Sequence, residues 1–295
     1  MKKLLVVSCL LLVVCLSGCG ERQETTLYYS SPSFNRGGEI IFLKGIQVVN
    51  KDIIGTQTGS SFTQSISTMT TAGTSETFKA DVTNTTPYYM SYSPTGDFVA
   101  YLDSKNGDLF NKIIVRYVGT ASHSGLNVTE LSFASGIRSF DWAADGNSLV
   151  YCTSTEIRSI TLAGVDTLIK AVADLETVSW KYAGRIAYVH NVGADKVLSL
   201  IYSDGTGNQD LPVAASVTLP QISPANTNEV YGFSGGSYCQ TSTTATTTTE
   251  ILANCQGQTP RISPDGANVT YSKTATEDSG IYLLDLTTKA ESKVK

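Results

Sequence analysis

The chain repeats one short unit six times, and this repeat limits the folds open to it. Each unit is a turn followed by a short apolar strand, clearest in SPTGDFVAY from Ser93, WAADGNSLVY from Trp142 and SPDGANVTY from Ser263. The turn residues of the six copies are Gly38, Gly96, Gly146, Gly184, Asn226 and Gly266, which lie 58, 50, 38, 42 and 40 residues apart. A period of this length is typical of propellers and solenoids.

The chemistry of the unit predicts a β-hairpin. Proline presets φ at the first central position of a turn, and aspartate bonds to nearby backbone N–H groups. Glycine, or Asn226 in the fifth copy, can adopt a positive φ. The following strand ends in an aromatic residue in each copy (Phe42, Tyr101, Tyr151, Tyr188, Tyr231, Tyr271). Four short antiparallel strands per roughly 40 residues predict an all-β fold, a six-bladed β-propeller of four-stranded blades.

Composition excludes some functions. Charged residues make up 16 % of the chain, below the ~25 % of ordinary soluble domains. The 21 basic residues are outnumbered by 26 acidic ones and form no basic run, which argues against nucleic-acid binding. No glycine-rich phosphate loop is present, so no nucleotide or other small-molecule cofactor is predicted.

The repeat resembles the WD-like propeller repeat of the TolB family. The resemblance is carried by PRISPDG over 260–266 and by SYSPTG over 91–96, and it extends over roughly residues 28–290. It implies a TolB-like propeller over 28–295 that binds protein partners of the cell envelope. In TolB an α/β domain precedes the propeller, whereas here the first blade starts almost directly after the N-terminal signal.

Residues 1–18 have the pattern of a bacterial lipoprotein signal peptide. Two lysines precede an apolar run over 4–16, which is shorter than the about 20 residues that span a bilayer. The run ends in Leu16-Ser17-Gly18-Cys19, which resembles a lipobox. The resemblance implies cleavage before Cys19, acylation of that cysteine with chains such as palmitate, and a short tether over 19–27.

An uncleaved membrane anchor and an ordinary secretory signal are the alternatives to a lipoprotein signal. Gly20 follows the cysteine, in the position where aspartate resembles an inner-membrane retention signal. We therefore expect a lipid-anchored protein of the bacterial outer membrane that faces the periplasm, with Cys19 as its contact with the membrane.

Three cysteines remain after the signal and the anchor. Cys239 and Cys255 flank a threonine-rich segment and could close a hairpin as a disulfide, which the chain-entropy model values at ~3 kcal/mol. Two buried thiols are the alternative. Cys152 lies in an apolar strand pattern and is predicted to be a buried free thiol. No CxxC pair is present, and no metal site is predicted.

Candidate catalytic chemistry is sparse. His123 and His190 are the two histidines of the chain; both are predicted in or beside turns, away from any nucleophile motif, so we predict no catalytic residue. The turn over 203–210 has alternating oxygen side chains that could suit Ca²⁺, but it lacks the bidentate glutamate of an EF-hand loop, and we interpret it as an Asp-Gly hairpin turn. Trp142 and Trp180 are interpreted as blade core rather than as carbohydrate platforms.

Two polar segments interrupt the repeat, and ring closure stays open. Residues 55–77 are rich in serine and threonine and could form a solvated hairpin extension of the first blade or a flexible loop. Residues 240–249 are interpreted as an exposed hairpin tip, with a partner contact or a glycan site as the alternatives. Either 25–29 or 291–295 could supply an outer strand that joins the last blade to the first.

The sequence therefore predicts a non-catalytic envelope lipoprotein whose propeller binds a protein or peptide partner, and it does not identify that partner. Binding of an envelope or extracellular glycan is the first alternative. An enzyme with an unrecognised carboxylate site is the second.

Overall fold

The computed structural model describes most of the chain beyond the N-terminal signal. The described residues are 22–35, 37–52, 54–82, 87–103, 110–119, 128–180, 184–212, 217–244, 246–253, 255, 260–273 and 279–295. The signal peptide, the lipobox with Cys19, and His123 lie outside these residues, so their interpretations stay predictions.

The first three blades are four-stranded antiparallel sheets whose strands follow chain order. Blade 1 contains β1 (Arg22–Phe34), β2 (Ile40–Lys51), β3 (Gln57–Met69) and β4 (Thr77–Val82). Blade 2 contains β5 (Pro87–Tyr92), β6 (Phe98–Asp103), β7 (Phe110–Tyr117) and β8 (Val128–Ile137). Blade 3 contains β9 (Ser139–Trp142), β10 (Ser148–Cys152), β11 (Glu156–Thr161) and β12 (Asp166–Ala171).

The last three blades repeat the same order of strands. Blade 4 contains β13 (Leu175–Ser179), β14 (Arg185–Val192), β15 (Asp195–Tyr202) and β16 (Gln209–Asp210). Blade 5 contains β17 (Thr218–Ile222), β18 (Glu229–Ser234), β19 (Ser237–Ser242) and β20 (Thr248–Leu252). Blade 6 contains β21 (Arg261–Ile262), β22 (Asn268–Lys273), β23 (Gly280–Asp285) and β24 (Glu291–Lys293).

The first strands of the blades surround a central axis, and the six sheets form a closed ring. β5 contacts β1 and β9, β13 contacts β9 and β17, and β1 contacts β21 and β22. The all-β, six-bladed prediction is therefore confirmed. No helix among the described residues is long and apolar enough to cross a membrane.

The hydrophobic core is divided among the six interfaces between blades. Successive side chains of a strand point to opposite faces of a sheet, so each blade contributes to two clusters. Tyr101 packs with blade 1 residues such as Ile41, whereas its neighbours Ala100 and Leu102 pack with Trp142 of blade 3. The terminal aromatics of the six repeats are all 5 % exposed or less, which explains why each copy ends in a large ring.

Neither candidate segment joins the last blade to the first as a shared strand. Residues 25–29 pair with β2 inside blade 1, and Glu291–Lys293 is the fourth strand of blade 6. The two blades meet through side chains instead: Phe34 and Met69 pack with Ile281. A salt bridge from Lys295 to Glu76 lies outside this cluster. Ring closure thus depends on packing rather than on strand exchange.

Blade 1 is longer than the other blades. Its strand β1 begins at Arg22, so residues 22–27 of the predicted tether pair with residues 46–51 of β2. The serine- and threonine-rich segment 55–77 supplies β3, which selects the hairpin extension over the loop. Leu27, Tyr28 and Phe62 of this blade are 43 %, 46 % and 55 % exposed. The strand β4 pairs only with residues 64–68 of β3, so the outer part of the extension has three strands.

The repeated turns form an interlocking row at one end of the ring. Gly96, Gly146 and Gly266 have φ of 83°, 71° and 71°. Asn35, Thr95 and Ala225, each from the turn of the preceding blade, pack directly on these three glycines. Asn226 does not adopt the positive φ expected for it; its side chain instead accepts a hydrogen bond from the Asn228 N–H at 3.1 Å.

Gly266→Ala is expected to lower the free energy of unfolding by about 2–4 kcal/mol. A Cβ at this position would lie 2.6 Å from Ala225 Cβ, and crowding of this kind adds about 1–3 kcal/mol to the cost of a positive φ. Gly193→Ala is the control, because Gly193 has φ 65° and open space around it. Equal losses in the two variants, measured by denaturant unfolding, would contradict the interlocking of the turns.

Candidate functional site

A cavity opens at the mouth of the channel on the side of the repeated turns. Its lining comes from the carboxyl ends of the first strands of blades 3 to 6 (Asp141, Ser179, Trp180, Gln221, Ile222, Arg261, Ile262). These residues are up to 121 positions apart in the chain (262 − 141), and the ring brings them together.

Asp141 ties three blades together beneath this mouth. Its side chain is 4 % exposed. One carboxylate oxygen accepts hydrogen bonds from the Trp142 N–H at 2.9 Å and the Ser91 hydroxyl at 3.4 Å. The other accepts from the Ser179 hydroxyl at 2.9 Å and the Trp180 N–H at 3.1 Å. Four donors occupy the carboxylate, so Asp141 is a structural centre of the mouth.

Gln221 performs the same task between blades 5 and 6. Its amide donates to the Pro260 carbonyl at 2.6 Å and accepts from the Ile262 N–H at 3.0 Å. Arg261 lies between these two backbone partners. The Nε–H of Arg261 is buried and has no hydrogen-bond partner among the described residues.

The two tryptophans have different roles. Trp142 is completely buried, and its indole N–H donates to the Ser91 carbonyl at 3.0 Å. Trp180 is partly buried, packs against the core between blades 3 and 4, and also lines the cavity. Trp142 is therefore a residue of the blade core, as interpreted from the sequence, whereas Trp180 belongs to the core only in part.

His190 does not take part in the mouth. It lies on β14, its ring centroid is 5.5 Å from that of Tyr188, and its Nδ1 is buried without a partner in the described part of the chain. His190 is not among the residues that line the cavity. Within the described residues, no group of three or more histidine, cysteine or acidic side chains is placed to hold a metal ion.

Aspartates of the turns act as local acceptors. Asp265 accepts hydrogen bonds from the Ser263 hydroxyl at 2.5 Å and from the Ala267 N–H at 3.0 Å, and these bonds lower the pKa of its carboxyl group. In the candidate Ca²⁺ turn, Asp204 accepts from the hydroxyl and the N–H of Thr206, which lowers its pKa in the same way. Hydrogen bonds within the turns therefore explain why aspartate occupies both positions, and a metal ion is not needed to explain it.

The three cysteines of the propeller are buried thiols in the structure. Cys152 is completely buried, and burial raises the pKa of its thiol to about 11. Cys239 and Cys255 donate to separate carbonyls, those of Ser237 and Leu252. In the structure Cys239 and Cys255 are therefore free thiols, and the Cys239–Cys255 disulfide stays a prediction for the oxidised protein.

Sequence reasoning did not identify Asp141, Gln221 or Arg261. A usable signal was present, since each residue lies near the end of a first strand, shortly before the repeated turn. Aligning the copies by their turns would have placed these polar side chains at one end of the channel. Their hydrogen bonds depend on contacts between blades and are not visible within one repeat.

Comparison with known proteins establishes the fold. No protein-family model and no curated protein sequence matches the chain. Among solved structures, TolB from Acinetobacter baumannii is similar over 91 % of this chain and 78 % of that one, with a TM-score of 0.60 and 10 % sequence identity. Identity at this level supports the propeller fold and leaves function to be argued from the site.

Two further solved structures also resemble this chain in overall fold. A chain of a nidogen/laminin complex matches 91 % of this chain and 92 % of its own length, with a TM-score of 0.55 and 12 % identity. An oligogalacturonate lyase in complex with manganese matches 93 % and 81 %, with a TM-score of 0.53 and 12 % identity. The neighbours thus include both a protein from a protein complex and an enzyme. This chain is a six-bladed β-propeller whose structural neighbours include TolB.

Proposed function

We propose that this protein is a non-catalytic lipoprotein of the bacterial envelope that binds a protein partner at the channel mouth. The observation that carries the proposal is the cavity at the carboxyl ends of the first strands of blades 3 to 6, which has both polar and apolar lining residues. Propellers present their loops around such a mouth, where residues from several blades can contact one ligand. The similarity to TolB and to a chain of a nidogen/laminin complex supports protein binding.

A binding role suits the chemistry of the mouth better than catalysis. Asp141 is the carboxylate of the cavity lining, and its two oxygens accept one hydrogen bond from its own blade and three from the neighbouring blades 2 and 4. A general base needs a carboxylate oxygen within reach of a substrate proton. In this arrangement Asp141 holds the mouth rigid, and rigidity reduces the entropic cost of binding.

The proposed anchor would hold the propeller at the membrane through blade 1. Strand β1 begins at Arg22, only three residues after Cys19. Three residues span at most about 11 Å, so acyl chains on Cys19 would keep the free end of the blade 1 extension close to the lipid surface. The extension would then separate the body of the propeller from the membrane. Several acyl chains on one cysteine would suffice for stable anchoring.

Cross-linking from the mouth in living cells tests the proposed binding role. A photoreactive amino acid replaces Trp180, which is partly buried and lines the cavity. We expect irradiation to produce one discrete adduct that contains peptides of a second protein, as identified by mass spectrometry. An adduct that contains sugars and no peptides of a second protein would favour the alternative function.

A further inference from the structure

Among the described residues that line the channel mouth, Arg261 has a buried donor without a hydrogen-bond partner. It lines the cavity from β21, and the donor is its Nε–H. A buried donor of a charged group that lacks a partner is costly, whereas a bond to an ionised acceptor is among the stronger hydrogen bonds. The position therefore favours an anionic acceptor brought by a ligand.

The other polar side chains of the mouth are already satisfied. Asp141 accepts four hydrogen bonds, Gln221 both donates and accepts, and the Ser179 hydroxyl donates to Asp141. A ligand that reaches the cavity thus meets one cationic side chain, that of Arg261, whose Nε–H has no hydrogen-bond partner in the part of the chain that the structure describes. The formal net charge of the whole chain is −5, so attraction of an anion to this point is local and does not come from the overall charge.

We infer that Arg261 binds a carboxylate of the protein partner, either an acidic side chain or the carboxyl terminus of a segment that enters the mouth. This inference rests on the proposed function and names the chemistry of its ligand. The planar guanidinium group matches a planar carboxylate and can contact both oxygens.

The environment of Trp180 favours a peptide over an acidic sugar. Sugar rings usually require an exposed aromatic face, but Trp180 packs against the core cluster that contains Val178 and Ile186. Its ring is therefore partly engaged in the blade interface. An acidic glycan is the competing source of a carboxylate, and the experiment must separate it from a peptide.

The test follows the side-chain Nε–H signal of Arg261 by NMR in the ¹⁵N-labelled full-length protein. Sodium acetate, inorganic phosphate, galacturonate and a short peptide with two glutamates are titrated separately, with the matching diglutamine peptide as a control. We expect a saturable shift with acetate and with the glutamate peptide. Arg261→Gln should weaken peptide binding by about 10-fold or more, and Arg261→Lys should weaken it less.

Arg138→Gln is the matched control. Arg138 is exposed and directly precedes β9, at the other end of the strand that carries Asp141. The Arg138→Gln variant should bind the peptide as tightly as the wild-type protein does. The inference would be overturned if neither carboxylate probe caused a saturable shift. Equal losses of peptide affinity in Arg138→Gln and Arg261→Gln would also overturn it. So would stronger binding of phosphate or galacturonate than of the peptide. If the cross-link from position 180 still forms in Arg261→Gln at the wild-type yield, the proposed function stands and the role of Arg261 does not.

Discussion

Asp141→Ala is expected to lower the free energy of unfolding by about 3–5 kcal/mol, since four donors would lose their acceptor and a buried donor without a partner costs about 1–3 kcal/mol. The hydroxyls of Ser91 and Ser179 and the N–H groups of Trp142 and Trp180 converge on this carboxylate. They belong to blades 2, 3 and 4, so the substitution loosens three blades at once. Denaturant unfolding followed by circular dichroism measures the loss.

Two control variants make the expectation for Asp141 specific. Asp141→Asn keeps the shape and part of the hydrogen bonding, so it should lose less than Asp141→Ala. Asp195→Ala removes an exposed aspartate from the hairpin between β14 and β15, where surface substitutions usually change stability by at most about 0.5 kcal/mol. A loss for Asp141→Ala as small as that for Asp195→Ala would show that the carboxylate does not hold the mouth together.

Cys19→Ala is expected to abolish membrane anchoring. The proposed lipobox requires the thiol of Cys19 for acylation, so the variant should accumulate as an unprocessed precursor without an acyl label. Labelled palmitate and the apparent mass of the protein in whole cells measure both effects. A single acyl chain binds membranes only marginally, whereas several hold a protein firmly, and loss of the acylated cysteine removes all of them.

Cys9→Ala is the matched control for the anchor. Cys9 lies in the apolar run of the signal peptide, where alanine keeps the segment apolar. This variant should be cleaved, acylated and anchored like the wild-type protein. Normal processing and palmitate labelling of Cys19→Ala would refute the lipoprotein proposal and would leave the propeller fold unaffected.

The fold was predictable because its information is local. Each turn and the strand after it, such as Ser93 to Tyr101, shows its hairpin within nine residues. The spacing of the six copies then gives the number of blades. The aromatic ends of these strands become the large side chains of the interfaces, as Tyr151 and Tyr271 illustrate with 2 % and 0 % exposure.

The candidate site was less predictable because its information is distributed among blades. Asp141 has the sequence context of an ordinary strand residue, and its role arises only when Ser91 and Ser179 approach from other blades. The mode of ring closure was hard to predict for the same reason. Phe34 and Ile281 pack together although they lie near opposite ends of the propeller sequence. The length of blade 1 depends on the register of β1 and β3 with β2, which serine- and threonine-rich sequence specifies weakly.

Photo-cross-linking from position 180 in living cells is the decisive test of partner binding at the channel mouth, with position 138 as the control at the other end of the channel. We expect one discrete adduct that contains peptides of a second protein from position 180, and no such adduct from position 138. Adducts of the same size and yield from both positions, or no protein adduct from position 180 in a variant that folds and reaches the membrane, would contradict the claim that the channel mouth binds a protein partner.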